Sequence, residues 1–422
     1  MSLLIRNALH QGRERDIYVE DGGIREIGSV SVETDEVINA ENMAILPGFV
    51  NTHTHAAMTL FRGWGDDMDL QDWLTKRIWP MEAHIDENLV YWGTKLACLE
   101  MIRTGTTTFM DMYFHPESSA KAVDEMGIRG FISSIFLDKF TGTGLEESIK
   151  TAKKDIRALE RIGPTIYPAL GPHAVYSCSR EILEWVAVYS CEKEIPVHFH
   201  LLETEGEKIN FQRENGIEIT EFLEEINFLQ PRLVAAHCVW ADQRDIERLA
   251  KFNVNVSYNP VSNMKLAVGK TMNVPRMEKE GINIGLGTDG AASNNTLSML
   301  DTIKFAGLSA KNYFKNPTLC NADSLLNYAT SNGAAALSLD SGVIEEGKLA
   351  DILLVDLKHE SMVPRRHSLH SKMAYSASPE AIRYVICNGK TVMRGRDVKD
   401  SREIIKGFEN AVNNWFEKYG ND

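Results

Sequence analysis

Histidine and acidic residues fall at the ends of several β-like runs in this 422-residue chain. His53 and His55 end one run, His200 ends another, His237 lies near the end of a third, and Asp289 follows a fourth. Residues two apart on a strand point to the same face, so the imidazoles of His53 and His55 can bind one ion. The pattern indicates a site where the ends of several strands meet.

Four of these residues form a candidate ligand set for a divalent cation: His53, His55, His200 and Asp289. Three neutral imidazoles and one carboxylate suit Zn²⁺, with Fe²⁺ and Mn²⁺ as alternatives. The residual positive charge would lower the pKa of a bound water towards neutrality. Residues 165–173 contain no lysine, so a carbamylated lysine cannot bridge two metals there. We therefore expect one cation per subunit.

A carboxylate follows the fifth predicted strand. Glu203 lies three residues beyond His200, where a carboxylic acid can give a proton to a substrate; a helix-capping glutamate is the alternative interpretation. His198, on the same strand, is expected to be a buried, hydrogen-bonded histidine. Residues 285–290 match the GxGxxG pattern of dinucleotide sites. No early βαβ unit or later ribose-binding acid accompanies the match, so no such site is expected.

The middle of the chain alternates β-like runs with segments that are mostly amphipathic. Strict alternation predicts parallel strands, and eight of them favour a closed (β/α)8 TIM barrel; a doubly wound α/β sheet is the alternative. The candidate residues all lie near the C-terminal ends of these strands, the face where barrel enzymes carry their active sites. The predicted strands are 44–50, 107–114, 130–136, 165–170, 196–202, 233–239, 253–258 and 282–286.

The two ends of the chain differ from the middle. Short β-like runs separated by Gly-containing turns occur at both ends, and Asn388-Gly389 is a strong hairpin signal. Residues 401–418 have apolar positions at helical spacing. We predict that residues 1–46 and 343–422 form a small β-sandwich domain with a C-terminal helix, and that residues 47–342 form the barrel.

Composition disfavours several classes of function. The chain has 59 acidic and 45 basic residues, a formal net charge of −14, so nucleic acid and anionic membranes are not expected as partners. No apolar run approaches the ~18 residues of a membrane span. The six cysteines include no CxxC pair, as in a reduced compartment. We expect a cytoplasmic globular protein, and a homo-oligomer, as is common for barrel enzymes of this size.

On these residues the chain resembles the amidohydrolase superfamily over nearly its whole length, from LPGFVNTHTH at 46–55 to GKLAD at 347–351. Within it, the sequence most resembles the 5′-methylthioadenosine/S-adenosylhomocysteine deaminases and the similar 5′-deoxyadenosine deaminases. The segments that carry this resemblance are WLTKRIWPME at 73–82, GPHAVYS at 171–177 and GTDGAASNN at 287–295. The resemblance implies a TIM barrel that deaminates adenine nucleosides with one zinc ion at the four candidate ligands.

The resemblance also implies a role for each further site residue. Hydroxide would attack C6 of the adenine ring while Glu203 protonates N1. Asp289 would take the proton of the water and pass it to the leaving amine, and His237 would orient the attacking water. Glu82 would bind the ribose hydroxyls and His173 the edge of the purine.

Residues 58–82 carry three tryptophans, at positions 64, 73 and 79. An aromatic-rich lid over a flat heterocycle is one interpretation, and a packed core segment is the other.

One departure from the family pattern concerns the substrate. Members that accept the amino-acid tail of S-adenosylhomocysteine are expected to bind its carboxylate with arginines after the third strand. Residues 131–150 contain no arginine; Lys139 lies there, and lysine is a poorer bidentate partner for a carboxylate. We predict a small-molecule nucleoside substrate with a small 5′ group, such as 5′-deoxyadenosine, 5′-methylthioadenosine or adenosine, and weaker use of S-adenosylhomocysteine.

Two alternative functions are compatible with these residues. Guanine or cytosine deamination and triazine hydrolysis use the same ligand set, and Glu82 favours a ribose-bearing substrate over them. A non-catalytic barrel that serves as a scaffold is the other, and it would purify without stoichiometric zinc.

Overall fold

A computed structural model describes residues 2–68 and 70–419 of the chain. The predicted small domain also includes Met1 and residues 420–422, and the predicted lid includes Asp69. These positions lie outside the described residues.

The chain begins with a sheet that is separate from the barrel. The first three strands form an antiparallel meander, and the next two pair with the first strand in parallel. The apolar residues on one face of this meander are buried in a small core of their own. These strands are β1 (Ser2–His10), β2 (Arg13–Glu20), β3 (Gly23–Gly28), β4 (Glu36–Asn39) and β5 (Met43–Pro47).

Eight parallel strands then close into a barrel, as predicted, which excludes the doubly wound alternative. Almost every residue of these strands is buried, because one face fills the barrel interior and the other packs against helices. The last strand pairs with the first, Leu286 beside Asn51. The strands are β6 (Phe49–Thr54), β7 (Thr106–Met112), β8 (Arg129–Phe136), β9 (Ile166–Pro172), β10 (Val197–Leu201), β11 (Leu233–His237), β12 (Asn255–Tyr258) and β13 (Ile284–Leu286).

The run predicted at 44–50 is divided between two sheets, and the division is at Gly48. A Cβ at this position would lie 2.2 Å from Oγ1 of Thr107, so only glycine allows the backbone to pass so close to β7. The amide of Gly48 donates to the carbonyl of Asp351 at 2.9 Å. The chain therefore leaves the first sheet in β5 and enters the barrel in β6 within two residues.

The end of the chain returns to the first sheet, as predicted. Its strand order is β16-β15-β14-β5-β1-β2-β3, with β4 on β1, and Leu46 of β5 pairs with Leu353 of β14. A buried ion pair between Arg129 of β8 and Asp351 ties the sheet to the barrel. The last strands are β14 (Ile352–Asp356), β15 (Ile382–Cys387) and β16 (Lys390–Arg394).

Helices fill the intervals between barrel strands, and the main core lies between them and the barrel. Local signals explain their ends: Asp242 is the N-cap of α10, and its carboxylate accepts hydrogen bonds from the amides of Arg244 and Asp245. No helix of the described residues is long and apolar enough to cross a membrane. The helices are α1 (Leu70–Trp73), α2 (Trp79–Glu82), α3 (Glu87–Arg103), α4 (Pro116–Met126), α5 (Asp138–Thr141), α6 (Leu145–Leu159), α7 (Arg180–Lys193), α8 (Glu205–Asn215), α9 (Ile219–Glu225), α10 (Gln243–Lys251), α11 (Pro260–Lys265), α12 (Val274–Lys279), α13 (Met299–Tyr313), α14 (Ala322–Ala329), α15 (Ser331–Ala336), α16 (Leu369–Tyr375) and α17 (Ser401–Tyr419).

Candidate active site

Five predicted site residues meet at the C-terminal end of the barrel. His53 lies in β6 and His55 directly follows it, His200 lies in β10, His237 ends β11, and Asp289 follows β13. His53, His200, His237 and Asp289 are buried, and His55 is partly exposed. We call these five residues the floor of the site.

The floor atoms have the spacing of ligands around one cation. Nε2 of His55 lies 3.3 Å from Nε2 of His200, and Oδ1 of Asp289 lies 3.4 Å from Nε2 of both His53 and His55. Tetrahedral bonds of about 2.0–2.1 Å would place ligand atoms about 3.3–3.4 Å apart. These three distances are compatible with a single divalent cation among the four predicted ligands, and a ring nitrogen of His237 also lies within 4.8 Å of those of His53 and His200.

The ring nitrogens that face away from this centre are already engaged. Nδ1 of His55 lies 2.6 Å from the carbonyl oxygen of Met112, and Nδ1 of His200 lies 2.9 Å from that of His173. Each Nδ1 can therefore carry the proton and donate it to the carbonyl. The Nε2 lone pairs are then free to bind a cation.

His53 shows the need for a cation most directly. Its Nδ1 is paired with Nε2 of His198, which is fully buried and hydrogen-bonded as predicted. Its Nε2 is buried without a hydrogen-bond partner. A buried nitrogen without a partner is destabilising, and a bound cation would satisfy it. Burial lowers the pKa of His53 to about 3 and that of His200 well below its usual range, so both rings are neutral, as ligands must be.

The turn after β13 fixes the carboxylate of Asp289. The backbone φ of Asp289 is +63°, in the left-handed region that aspartate tolerates better than most residues. The hydroxyl of Ser262 donates to Oδ2 at 2.6 Å, and the amide of Gly290 donates to Oδ1 at 2.7 Å. Burial alone would raise the pKa of Asp289, but interactions with His53 and the neighbouring imidazoles hold it well below its usual range.

Glu203 lies beside the floor, and its pKa is shifted in the opposite direction from that of Asp289. Burial, reinforced by the negative charge of Asp289, raises the pKa of Glu203 to about 8. Its Oε1 lies 3.6 Å from Nδ1 of His237, which accepts a hydrogen bond from the side-chain amide of Asn263 at 2.8 Å. Burial also lowers the pKa of His237 to about 4. Near neutral pH, Glu203 is therefore a carboxylic acid next to the neutral imidazole of His237. The carboxylic acid can supply a proton.

Glu203 and the floor residues other than His53 line one cavity of about 770 Å³, together with the two predicted substrate-binding residues. Oε1 of Glu82 accepts a hydrogen bond from the hydroxyl of Tyr113 at 2.9 Å, and burial raises the pKa of Glu82 to about 7. Nδ1 of His173 lies 3.0 Å from Oγ of Ser177, and burial lowers the pKa of His173 to about 3. The cavity is large enough for a drug-sized ligand.

Residues 56–85, except Asp69, cover the cavity, and we call them the cap. They form a 3₁₀ turn (Ala56–Phe61), α1, a π-helical turn (Leu74–Ile78) and α2. Trp73 and Trp79 line the cavity, whereas the ring of Trp64 lies 5.7 Å from that of Phe416 in α17. Two of the three tryptophans therefore line the cavity, as the lid interpretation expects, and Trp64 is used for packing, as the core interpretation expects.

Several outer contacts hold the cap, among them an ion pair between Arg62 and Glu100. Nζ of Lys265 contacts Oδ1 of Asp66 at 2.5 Å and Oδ1 of Asn295 at 2.7 Å. The indole N–H of Trp415 in α17 donates to the carbonyl of His84 at 2.8 Å. The C-terminal helix is thus a support of the cap.

Aromatic rings surround the outer part of the cavity. The ring of Phe140 lies 5.1 Å from that of Trp79 and 6.3 Å from that of Tyr176, and half of Phe140 is exposed. Nζ of Lys139 donates to the carbonyl of Val175 at 2.9 Å, so this cation is already engaged by the backbone.

Three residues of the site were not found from the sequence. Ser262 and Asn263 of α11 hold Asp289 and His237, and Tyr113 holds Glu82. The polar residues that follow β12 were the available signal, because they leave the seventh barrel strand at the same end as the floor.

The glycines of the GxGxxG match have a packing role. A Cβ on Gly287 would lie 2.3 Å from Oδ1 of Asn259, and a Cβ on Gly290 would lie 2.8 Å from Sδ of Met58. These positions need glycine because neighbouring strands and the cap approach the backbone closely.

Comparisons with known proteins identify the family of the chain. A model of the amidohydrolase family matches residues 44–392. The chain is 48% identical to 5-methylthioadenosine/S-adenosylhomocysteine deaminase 1 of Archaeoglobus fulgidus, over 94% of each chain. It is 42% identical to 5′-deoxyadenosine deaminase of Methanocaldococcus jannaschii, over 94% of this chain and 95% of that protein.

The fold is also similar to that of a solved structure, an adenosine deaminase from Xanthomonas campestris with bound zinc. The TM-score is 0.92 at 28% sequence identity, and the match covers 100% of this chain and 98% of the other.

Proposed function

The chain belongs to the amidohydrolase family, and from this premise we propose that it hydrolytically deaminates adenine nucleosides, releasing ammonia and the corresponding inosine analogue. The observation that carries the proposal is one cavity lined by three of the four candidate cation ligands, a buried proton donor and the partly buried carboxylate of Glu82, which suits ribose. The names of the two relatives described above, both nucleoside deaminases, support the same reaction.

We propose that His53, His55, His200 and Asp289 bind one cation, and that the cation is Zn²⁺, with Fe²⁺ and Mn²⁺ as alternatives. Their spacing and the unpartnered Nε2 of His53 support this assignment. Zinc bound there would lower the pKa of water so that hydroxide is accessible near neutral pH. Elemental analysis of the purified protein tests the identity and the stoichiometry of the metal.

The proposed proton transfers use a protonated donor, Glu203, and an ionised acceptor, Asp289. Glu203, whose pKa is raised to about 8, gives its proton to N1 of the purine and makes C6 more electrophilic. Asp289, held as a carboxylate by Ser262 and its imidazole neighbours, takes the proton of the attacking water and passes it to the leaving amine. His237, fixed by Asn263, orients the water.

We assign substrate binding to the groups that line the upper cavity. Glu82, with its second oxygen free of Tyr113, accepts hydrogen bonds from the ribose hydroxyls. His173 contacts the edge of the purine. The cap excludes bulk water from the reacting atoms, which strengthens the electrostatic interactions among them.

We propose that the preferred substrates have a small 5′ group. The aromatic rim of Trp79, Phe140 and Tyr176 suits an uncharged substituent. Lys139 would have to give up its bond to Val175 to bind a carboxylate, and residues 131–150 offer no arginine. S-adenosylhomocysteine should therefore be a weaker substrate than 5′-deoxyadenosine, 5′-methylthioadenosine or adenosine.

An ultraviolet assay tests both proposals, since the spectrum changes when adenine becomes hypoxanthine. Zinc-loaded protein is assayed in parallel with the four nucleosides. Turnover of the first three above S-adenosylhomocysteine supports the reaction and the preference. Turnover led by S-adenosylhomocysteine keeps the reaction and contradicts the preference. No turnover of any nucleoside by zinc-loaded protein contradicts the reaction.

We also propose a cytoplasmic location, a homo-oligomeric state and the domain bounds predicted above. The six cysteines are all free, which supports a reducing compartment. Phe305, Leu308 and Tyr313 of α13 are 42–47% exposed, which supports contact with another subunit. Light scattering after size-exclusion chromatography tests the oligomeric state.

A further inference from the structure

A second buried carboxylate lies behind Glu203, and the reaction described above does not use it. Glu207 is in the first turn of α8, and its Oε2 accepts a hydrogen bond from the backbone N–H of Glu203 at 2.9 Å. Its Oε1 is buried without a hydrogen-bond partner. The carboxylate also faces the amides of Leu202 and Thr204. Glu207 therefore contacts the backbone of the segment that carries the proton donor.

That backbone has an unusual conformation. Leu202 is fully buried and has a φ of +52°, a left-handed value that is sterically unfavourable for a leucine. The turn at Leu202 directs the next residue, Glu203, towards the floor. The carbonyl of Leu202 accepts a hydrogen bond from the backbone amide of Trp240 at 2.8 Å. A conformation of this kind persists only where its surroundings hold it.

Glu207 and Thr204 hold the backbone turn at Leu202 through a variant of the capping box. Oγ1 of Thr204, the N-cap of α8, accepts from the amide of Glu207 at 3.1 Å. In the usual box the glutamate returns to the amide of the N-cap residue. Here it reaches one residue further and takes the amide of Glu203. The start of α8 and the position of Glu203 are thereby joined.

The surroundings of Glu207 favour an uncharged acceptor. Burial raises the pKa of Glu207 to about 8, the N–H of Glu203 lowers it in part, and the charge of Glu203 raises it. Tyr176 and Cys238 also sense the charge of Glu207, and neither of these groups is a cation. A glutamine amide oxygen should therefore replace this carboxyl with little loss.

We propose that Glu207 is a positioning residue, whose side-chain oxygen holds the N–H of Glu203 and thereby keeps the proton donor over the substrate. The inference rests on the proposed function, since Glu203 acts as a proton donor only in that reaction. Loss of the acceptor should release the turn at Leu202 and misplace the carboxyl of Glu203, while the floor and the cap stay intact.

The test compares Glu207→Gln and Glu207→Ala with Glu205→Ala, a matched control in the same turn of α8 whose side chain is exposed. We expect Glu207→Ala to lower kcat about 10–100-fold, as second-layer substitutions do, with KM within about threefold. Glu207→Gln should keep kcat within about threefold of the wild type, and Glu205→Ala should be unchanged. A tenfold loss in Glu207→Gln, or wild-type kcat in folded Glu207→Ala, overturns the proposal.

Hydrogen exchange provides a readout that does not depend on turnover. We expect the peptide that contains the amide of Glu203 to exchange at least about tenfold faster in Glu207→Ala, and at the wild-type rate in Glu207→Gln and Glu205→Ala. Unchanged exchange in Glu207→Ala overturns the positioning role. If the wild-type protein shows no deaminase activity while exchange changes as expected, the proposed function fails and the contact stands.

Discussion

The floor and the cap of the site are held by different means. The floor histidines lie on or beside buried strands, and His55 and His200 are each oriented by a backbone carbonyl. The cap is built from turns of four to six residues, and Glu82 within it has one side-chain partner, the hydroxyl of Tyr113. The reacting groups are thus fixed by the barrel, whereas the substrate contacts depend on a segment that neighbours must support.

The difference between floor and cap should appear as separate effects on kcat and on KM. Interactions made only in the transition state change kcat, whereas interactions made equally in substrate and transition state change KM. Floor substitutions should therefore lower turnover, and cap substitutions should raise KM. Each prediction below can confirm or contradict that division.

Removal of the cation should have the largest effect. Chelator-treated protein, shown to be cation-free by elemental analysis, should lose turnover by about 10³-fold or more, because the cation supplies several kcal/mol of transition-state stabilisation. Added Zn²⁺ should restore it. His53→Ala is the control, since added Zn²⁺ should not restore activity to a site without this ligand. Full turnover by cation-free protein would contradict the assignment of the floor.

Replacement of the proton donor should come next. Glu203→Gln cannot give a proton to N1, and we expect kcat to fall about 10²–10⁴-fold with KM within about threefold. Glu205→Gln removes an exposed carboxylate nearby and should be silent. Steady-state kinetics of both variants give kcat and KM separately. A rise in KM without a fall in kcat would mean that Glu203 contributes to substrate binding, like the cap, and not to proton transfer.

Glu82 should control KM and its dependence on pH. Burial raises the pKa of Glu82 to about 7, so the carboxylate that accepts from ribose is present above pH 7 and lost as the pH falls below it. KM should therefore rise about tenfold between pH 8 and pH 6. Glu82→Gln does not titrate, so its KM should be higher at pH 8 but nearly flat. A pH-dependent KM in that variant would assign the titration to another group.

The contact between Asp66 and Lys265 should have the smallest effect. It joins the cap to the end of α11, and partly exposed ion pairs contribute about 0.2–1 kcal/mol. Asp66→Ala should raise KM no more than about fivefold and leave kcat unchanged. A double-mutant cycle with Lys265→Met should show coupling between the two changes. Additive effects would mean that the contact does not hold the cap.

The barrel and the floor could be predicted because both depend on local pattern. Buried strand runs alternate with amphipathic helices, and polar residues at strand ends must meet once the strands are parallel. His53, His55, His200 and Asp289 were found in this way. The two-residue period of a strand predicted that His53 and His55 share a face. The position of His200 and Asp289 at the C-terminal ends of their strands predicted that they lie at the same end of the barrel.

Contacts between distant parts of the chain could not be predicted in the same way. β4 has four residues of mixed polarity and exists because it pairs with β1. The partners Tyr113 of Glu82, Ser262 of Asp289 and Asp351 of Arg129 are separated from them by tens to hundreds of residues. Hydrophobic periodicity carries no information on such pairings, and the division at Gly48 needed the position of Thr107.

The sheet built from both chain ends has a consequence for the synthesis of the protein. Leu46 of β5 pairs with Leu353 of β14, and at about 5–20 residues per second the roughly 300 residues between them take on the order of 15–60 s to be made. The eighth barrel strand ends at Leu286, so all eight barrel strands are translated before β14 leaves the ribosome. Throughout that interval β5 presents a strand edge that lacks this partner, the kind of edge on which misassembly begins. The strands made first are therefore the ones that must be protected longest.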